Sequence, residues 1–211
     1  MSDTIIILTT TVNIFNVNKI FQKSSSERLQ TYISSINKWL KTDFKIVVVD
    51  NSGYTFPEIN ITKNLHVISY YYDNIDVEEK DKFILFSNEK GHHEMLAINY
   101  AFNHIPSQWN YQKIFKLTGR YFIPNFEQYV DNIPDEAVYY IQKRDIMCEL
   151  YGGKKEKVID LFKLPTLKNK RQISETIKKE RIEEILKNTN NKNIVYKFPE
   201  LKVDPVIKGS R

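Results

Sequence analysis

The chain has 211 residues, with 31 basic against 26 acidic side chains and a formal net charge of +5. That length suits one compact domain able to bury roughly 70% of the surface its unfolded form exposes, so no metal or disulfide is needed to hold it together. The single cysteine, Cys148, excludes an internal disulfide and fits a reducing compartment. No stretch approaches the ~20 apolar residues of a membrane span. The first apolar run, residues 5–8, is too short for the core of a signal peptide, and a soluble, cytoplasmic protein is expected. The basic side chains are scattered. Their denser groups, Lys154-Lys155 and residues 168–171, lack interleaved aromatics, so they read as solvated faces, and nucleic acid is not an expected partner. Peripheral contact with an anionic membrane surface or a charged glycan is the other reading of that charge.

In chain order, residues 5–11 (Ile-Ile-Ile-Leu-Thr-Thr-Thr) are a β-branched run of buried-strand type, followed by a polar loop over 13–23. Ser24 and Glu27 have capping-box spacing. Behind them Leu29, Tyr32, Ile33, Ile36, Trp39 and Leu40 recur at helical intervals, giving one apolar face to pack on a sheet. Residues 44–49 form a second strand, so strand, helix and strand make a βαβ unit with parallel strands. Residues 66–70 read as a third strand, followed by an acidic loop over 73–81 and a short strand over 83–86. A helix is expected from about Glu94 to His104, with Met95, Ile98, Phe102 and Ile105 on one side. Then come a strand at 114–117, a short helical piece at 126–133 opened by Pro124 and a strand at 137–141. Amphipathic helices follow at 154–164 and 174–187, with an extended tail over 194–198. Alternating strands and helices to about residue 140 place the chain among α/β folds with a mainly parallel central sheet flanked by helices.

The strand ends carry the chemistry. Val49 runs into Asp50, Asn51, Ser52 and Gly53, a carboxylate, an amide, a hydroxyl and a glycine at a strand's carboxyl end, where open α/β sheets bind small molecules. Asp-Asn-Ser-Gly is also good turn chemistry. As a ligand contact, Asp50 would accept hydrogen bonds from a base edge or a ribose. Thr9 and Thr10 end the first strand, Thr118, Gly119 and Arg120 end the later one, and Lys90-Gly91 precede the helix from Glu94. A helix N-terminus beside a lysine suits a phosphate, so these groups together suggest a nucleotide diphosphate. His92-His-Glu94 lacks the His-Glu-x-x-His spacing of a metal site. There is no Walker loop, Gly-x-Gly-x-x-Gly or Gly-x-Ser-x-Gly.

Five features in this order resemble the small GT-A type glycosyltransferases of large DNA viruses and of bacterial capsule and lipopolysaccharide loci. They are the first strand ending in threonines, Val48-Val-Asp-Asn-Ser-Gly53, Lys90-Gly91 with Glu94, Phe115-Lys-Leu-Thr-Gly-Arg-Tyr121, and Glu149-Leu-Tyr-Gly152. The resemblance implies a GT-A-like (Rossmann-like) domain over 1–211, with a donor-binding half at about 1–123 and an acceptor half at about 124–211. It implies transfer of a sugar from a nucleotide-diphosphate sugar to a glycan or glycoprotein acceptor. Thr9, Thr10, Asp50, Asn51, Ser52, Lys90, Gly91, Thr118, Gly119 and Arg120 would hold the donor. Glu149, with Asp145 beside it, would take the acceptor's proton, as an inverting enzyme requires.

One departure from the family pattern concerns the metal. The strand end where such enzymes carry Asp-x-Asp reads Thr118-Gly-Arg120, so a Mn²⁺ or Mg²⁺ cofactor is left open and no metal ligand is assigned. Arg120 could pair with phosphate oxygens as a permanently charged fork. The acids at 76–81 are the other source of metal ligands. Two further readings remain open: a nucleotidyltransferase on the same architecture, and a noncatalytic glycan- or protein-binding module. The segment over 9–18 lacks the Gly and Arg that the first of these would use to hold a triphosphate.

Overall fold

The computed structural model describes residues 3–14, 24–71, 90–131, 138–140, 150–162 and 204–205. Strand β1 (Thr4–Thr10) lies in the middle of a six-stranded sheet and is buried along its whole length, as its unbroken β-branched run requires when helices cover both faces. Its neighbours are β2 (Lys45–Asp50) and β4 (Lys113–Thr118), both parallel to it, with β3 (Leu65–Ser69) parallel to β2 beyond. The strand order is β3-β2-β1-β4-β7-β6. Strand β7 (Leu150–Lys154) runs antiparallel to β4, and β6 (Val138–Tyr140) antiparallel to β7. The architecture is the expected mainly parallel α/β sheet. A second, two-stranded sheet pairs β5 (Tyr121–Phe122) with β8 (Asp204–Pro205).

The helices divide the core between the two faces. Helix α1 (Ser25–Trp39) starts where Ser24 accepts from the Glu27 backbone N–H at 3.4 Å, as the capping spacing anticipates. It lays Tyr32, Ile36 and Trp39 on the face carrying Ile6, Leu8, Ile46, Val48, Phe115 and Leu117. Helix α2 (Lys90–His104) covers the opposite face, where Met95, Ile98 and Ala101 meet Ile5, Ile7, Val47, Val49 and Ile114. The period-2 alternation of each strand thus feeds two cores from one sheet. Helix α3 (Phe126–Val130) brings Phe126 edge-on to Trp39 and Phe115, and α4 (Lys155–Phe162) packs on the α2 side through Val158.

Two expectations change. The helix foreseen from Glu94 begins at Lys90, so Lys90 and Gly91 are its first residues, not a turn before it. Position 150 onward, expected as part of a site segment, enters the sheet as β7, whose glycines let it press on β4: a Cβ at Gly152 would meet Phe115 Cδ1 at 2.3 Å. The acidic loop at 73–81, the strand at 83–86, the helix at 174–187 and the tail at 194–198 lie outside the described residues, as do Asp145, Cys148 and Glu149.

Candidate active site

After β1 the chain crosses to β2 and β3 on one side, then returns to β4 on the other, which puts a topological switch point between β1 and β4. The carboxyl ends there are flush: Thr10 is level with Asp50, Asp50 with Ser69, and Thr9 with Thr118. The register therefore gathers the expected residues of the three strand ends along one edge. Gly119 permits the tight join. Its N–H donates to the Thr9 carbonyl at 2.8 Å, and a Cβ there would lie 2.5 Å from Thr10 Cγ2.

Asp50 is at the centre of this edge and is fully buried. Its Oδ1 accepts from the Ser52 N–H (2.8 Å), the Ser52 hydroxyl (2.6 Å) and the Tyr54 N–H (3.1 Å). Its Oδ2 accepts from the Thr10 hydroxyl (2.9 Å) and the Val12 N–H (3.1 Å). Five donors on one carboxylate satisfy it, and what they hold in place is the pair of loops after β1 and β2. The position is the expected one, but its contacts are with protein. Ser52, also buried, passes the order on by accepting from the Asn13 N–H at 2.9 Å. Asn51 accepts from the Thr11 hydroxyl at 2.7 Å. Gly53 closes the turn at φ +79°, with the Tyr71 ring lying where a Cβ would be.

A second buried polar group lies on the α2 side. The fully buried Lys116 ammonium is ion-paired with Glu94, and the same Glu94 oxygen accepts from the Thr9 hydroxyl at 3.1 Å. Lys116 also lies 5.2 Å from the Tyr151 ring centroid. Pairing with Glu94 neutralises the charge in that core. The α2 helix begins at Lys90-Gly91 near this edge, and the residue brought to the strand ends by a described contact is Glu94.

Arg120 follows β4 and Gly119. Its guanidinium lies 5.1 Å from the Tyr121 ring centroid, and its Nε is buried without a hydrogen-bond partner. The Tyr121 carbonyl next to it is fixed by α1, accepting from the Ser35 hydroxyl at 2.8 Å and the Trp39 indole N–H at 2.9 Å. Helix α1 contributes Arg28, which the sequence reading passed over, and the hydroxyl of Tyr32, expected only as part of the apolar face. Arg28, buried in the first turn, donates through Nε to the Thr11 carbonyl and through Nη2 to the Tyr32 hydroxyl at 2.8 Å. Burial, more than any neighbour, pushes the Tyr32 phenol up from its usual range, while Arg28 and Arg120 pull the other way. The signal for Arg28 was in the pattern: positions 28, 32, 35 and 39 form one helical stripe that packs inward, and an arginine in such a stripe has a polar destination.

The groups at the β4 end are a hydroxyl, a glycine and a guanidinium, which do not fit a divalent cation. Among the described residues no three His, Cys, Asp or Glu side chains cluster as a metal site. Nor is any described helix long and apolar enough to cross a membrane. No family model matches the sequence, and no curated protein matches it. Among solved structures, the chain is similar to a protein of Desulfovibrio desulfuricans G20 provisionally assigned as a nucleotide-diphospho-sugar transferase. The TM-score is 0.51 at 11% identity, over 94% of this chain and 80% of that one. At that identity the likeness establishes a shared fold alone.

Proposed function

We propose that the protein is a glycosyltransferase that takes a sugar from a nucleotide-diphosphate donor and delivers it to a glycan acceptor. The observation that carries this reading is the Arg120 guanidinium. Its Nε is buried without a partner, beside the flush ends of β1 and β4, at the position where this fold type receives a diphosphate. Thr118, Thr11 and Asn13 are the half-buried polar groups along the same edge and are suited to touch the donor. Thr9, Thr10, Asp50, Asn51 and Ser52 would shape the loops that hold it, while Lys90 and Gly91 open the helix that flanks it. Arg120 would neutralise the charge that develops on the leaving diphosphate.

Glu149, with Asp145 as the second choice, is our candidate for the base that deprotonates the acceptor hydroxyl. Support comes from the residue that follows: Leu150 enters β7 opposite Leu117, at the same end of β4 as Thr118. A carboxylate delivered to that edge would face the sugar carbon from the acceptor side. The noncatalytic alternative is favoured by one feature, the absence of an acid in Thr118-Gly-Arg120.

The test is a panel of nucleotide sugars with and without Mn²⁺, read by nucleotide release and by thermal stabilisation. Sugar-dependent release from one donor supports the transferase. Stabilisation by nucleoside diphosphates with no release from any donor, even with glycan acceptors supplied, would favour the binding module. No stabilisation by any nucleotide would remove the nucleotide-sugar reading.

A further inference from the structure

We infer that Arg28 and Arg120 together form a two-arginine anion site beside Tyr32, and that its ligand is a pyrophosphate group. The choice of pyrophosphate rests on the nucleotide-sugar reading above; the arginine pair rests on Tyr32, whose hydroxyl accepts from Arg28 and whose Cδ1 lies 3.4 Å from where a Cβ on Gly119, the residue before Arg120, would be. Arg28 is 8% exposed, yet only two of its donors are engaged, one by the Thr11 carbonyl and one by the Tyr32 hydroxyl. A guanidinium offers five N–H groups, so most of the fork is unused. Arg120 leaves its buried Nε–H unpartnered. Neither guanidinium is paired with a carboxylate among the described residues.

Asp50 is the nearby acid whose field also reaches Tyr32, but both of its oxygens are taken by Thr10, Val12, Ser52 and Tyr54. Glu94 is committed to Lys116 on the α2 side. A buried cation and a half-buried one without a counter-charge among the described residues are costly, and a bound dianion would relieve that cost. The pair is also built to stay in place. Arg28 is clamped by a backbone carbonyl and a phenol, and Arg120 by the Tyr121 ring, whose carbonyl is pinned by Ser35 and Trp39. Two arginines held by the fold near Tyr32, one on its hydroxyl and one following the glycine against its ring, suit adjacent phosphates better than a single carboxylate. They put fixed positive charge where the family pattern would use a metal held by Asp-x-Asp.

Binding of inorganic pyrophosphate and of a nucleoside diphosphate panel, followed by calorimetry without divalent cations, tests the pair. Arg28→Lys keeps the charge and loses the fork, so its affinity for pyrophosphate should fall roughly tenfold. Arg28→Lys/Arg120→Lys should fall further. Wild-type affinity in a folded Arg28→Lys variant overturns the proposal. If that variant does not fold, arginine Nε resonances of the wild-type protein serve instead. Two of them should shift on adding pyrophosphate, and one or none shifting also overturns the pair. Pyrophosphate held through both arginines with no nucleoside diphosphate bound would keep the site and sink the sugar-transfer reading. Nucleoside diphosphate held equally by wild type and Arg28→Lys would do the reverse.

Discussion

Asp50 and Arg120 differ in how their charge is met, and that difference sets what each substitution should do. Asp50 accepts five hydrogen bonds while fully buried. Asp50→Asn replaces one accepting oxygen with an NH₂ facing donors, and should lower stability by about 2–4 kcal/mol. Urea unfolding measures this, and an unchanged midpoint would mean that the carboxylate is not what holds the loops. Arg120 is the opposite case, since its guanidinium makes no hydrogen bond to the described protein. Arg120→Gln should therefore keep the melting temperature within a few degrees while weakening diphosphate binding by roughly 2–5 kcal/mol. Calorimetry with nucleoside diphosphates decides it, and unchanged affinity removes Arg120 from the site.

The turns and caps that bring these residues together are separate elements with their own costs. Gly53 adopts φ +79° against the Tyr71 ring, so Gly53→Ala should cost about 1–2 kcal/mol in backbone strain and push Tyr71 aside. A melting curve with no loss of stability would show that the turn can relax. At the start of α1, Ser24→Ala removes the side-chain cap on Glu27 N–H and should cost about 1 kcal/mol. Because Arg28 lies in that first turn, the same change should also weaken pyrophosphate binding. Fraying there releases Arg28 from Thr11 and Tyr32. Stability lost without any change in binding would separate the cap from the site.

The main sheet of the described structure carries a core on each face, and the two tryptophans report on different faces. Trp39 is fully buried in the α1-side core, while Trp109 packs against the α2-side core. Both cores are built on alternate residues of the same strands, so neither can dissolve without exposing the other's backbone. In Trp109→Phe, urea unfolding followed by Trp39 fluorescence and by far-ultraviolet circular dichroism should give one coincident midpoint. Two separated midpoints would mean that the faces unfold as independent units.

By itself the sequence determined several of the elements. Residues 5–11 had to be a central strand because an unbroken β-branched run is stable only when covered on both faces. Ser24 had to start a helix because its hydroxyl satisfies an end N–H, and Asp50 to Gly53 carried turn chemistry at a strand's end. It also pointed to the edge proposed as the ligand site, since Thr9, Thr10 and Asp50 lie at strand ends and Arg120 follows one. Tertiary structure alone decided which of those groups are spent inside the protein and which are left over. Local pattern says where a side chain starts, but a hydrogen bond between Thr10 and Asp50, or between Arg28 and Thr11, depends on strand register and helix docking across the sheet. For the same reason β7 was hidden: Gly152 and Gly153 have little strand propensity, and they fit there only because Phe115 and the Ile114 carbonyl press so close that no side chain would fit at Gly152.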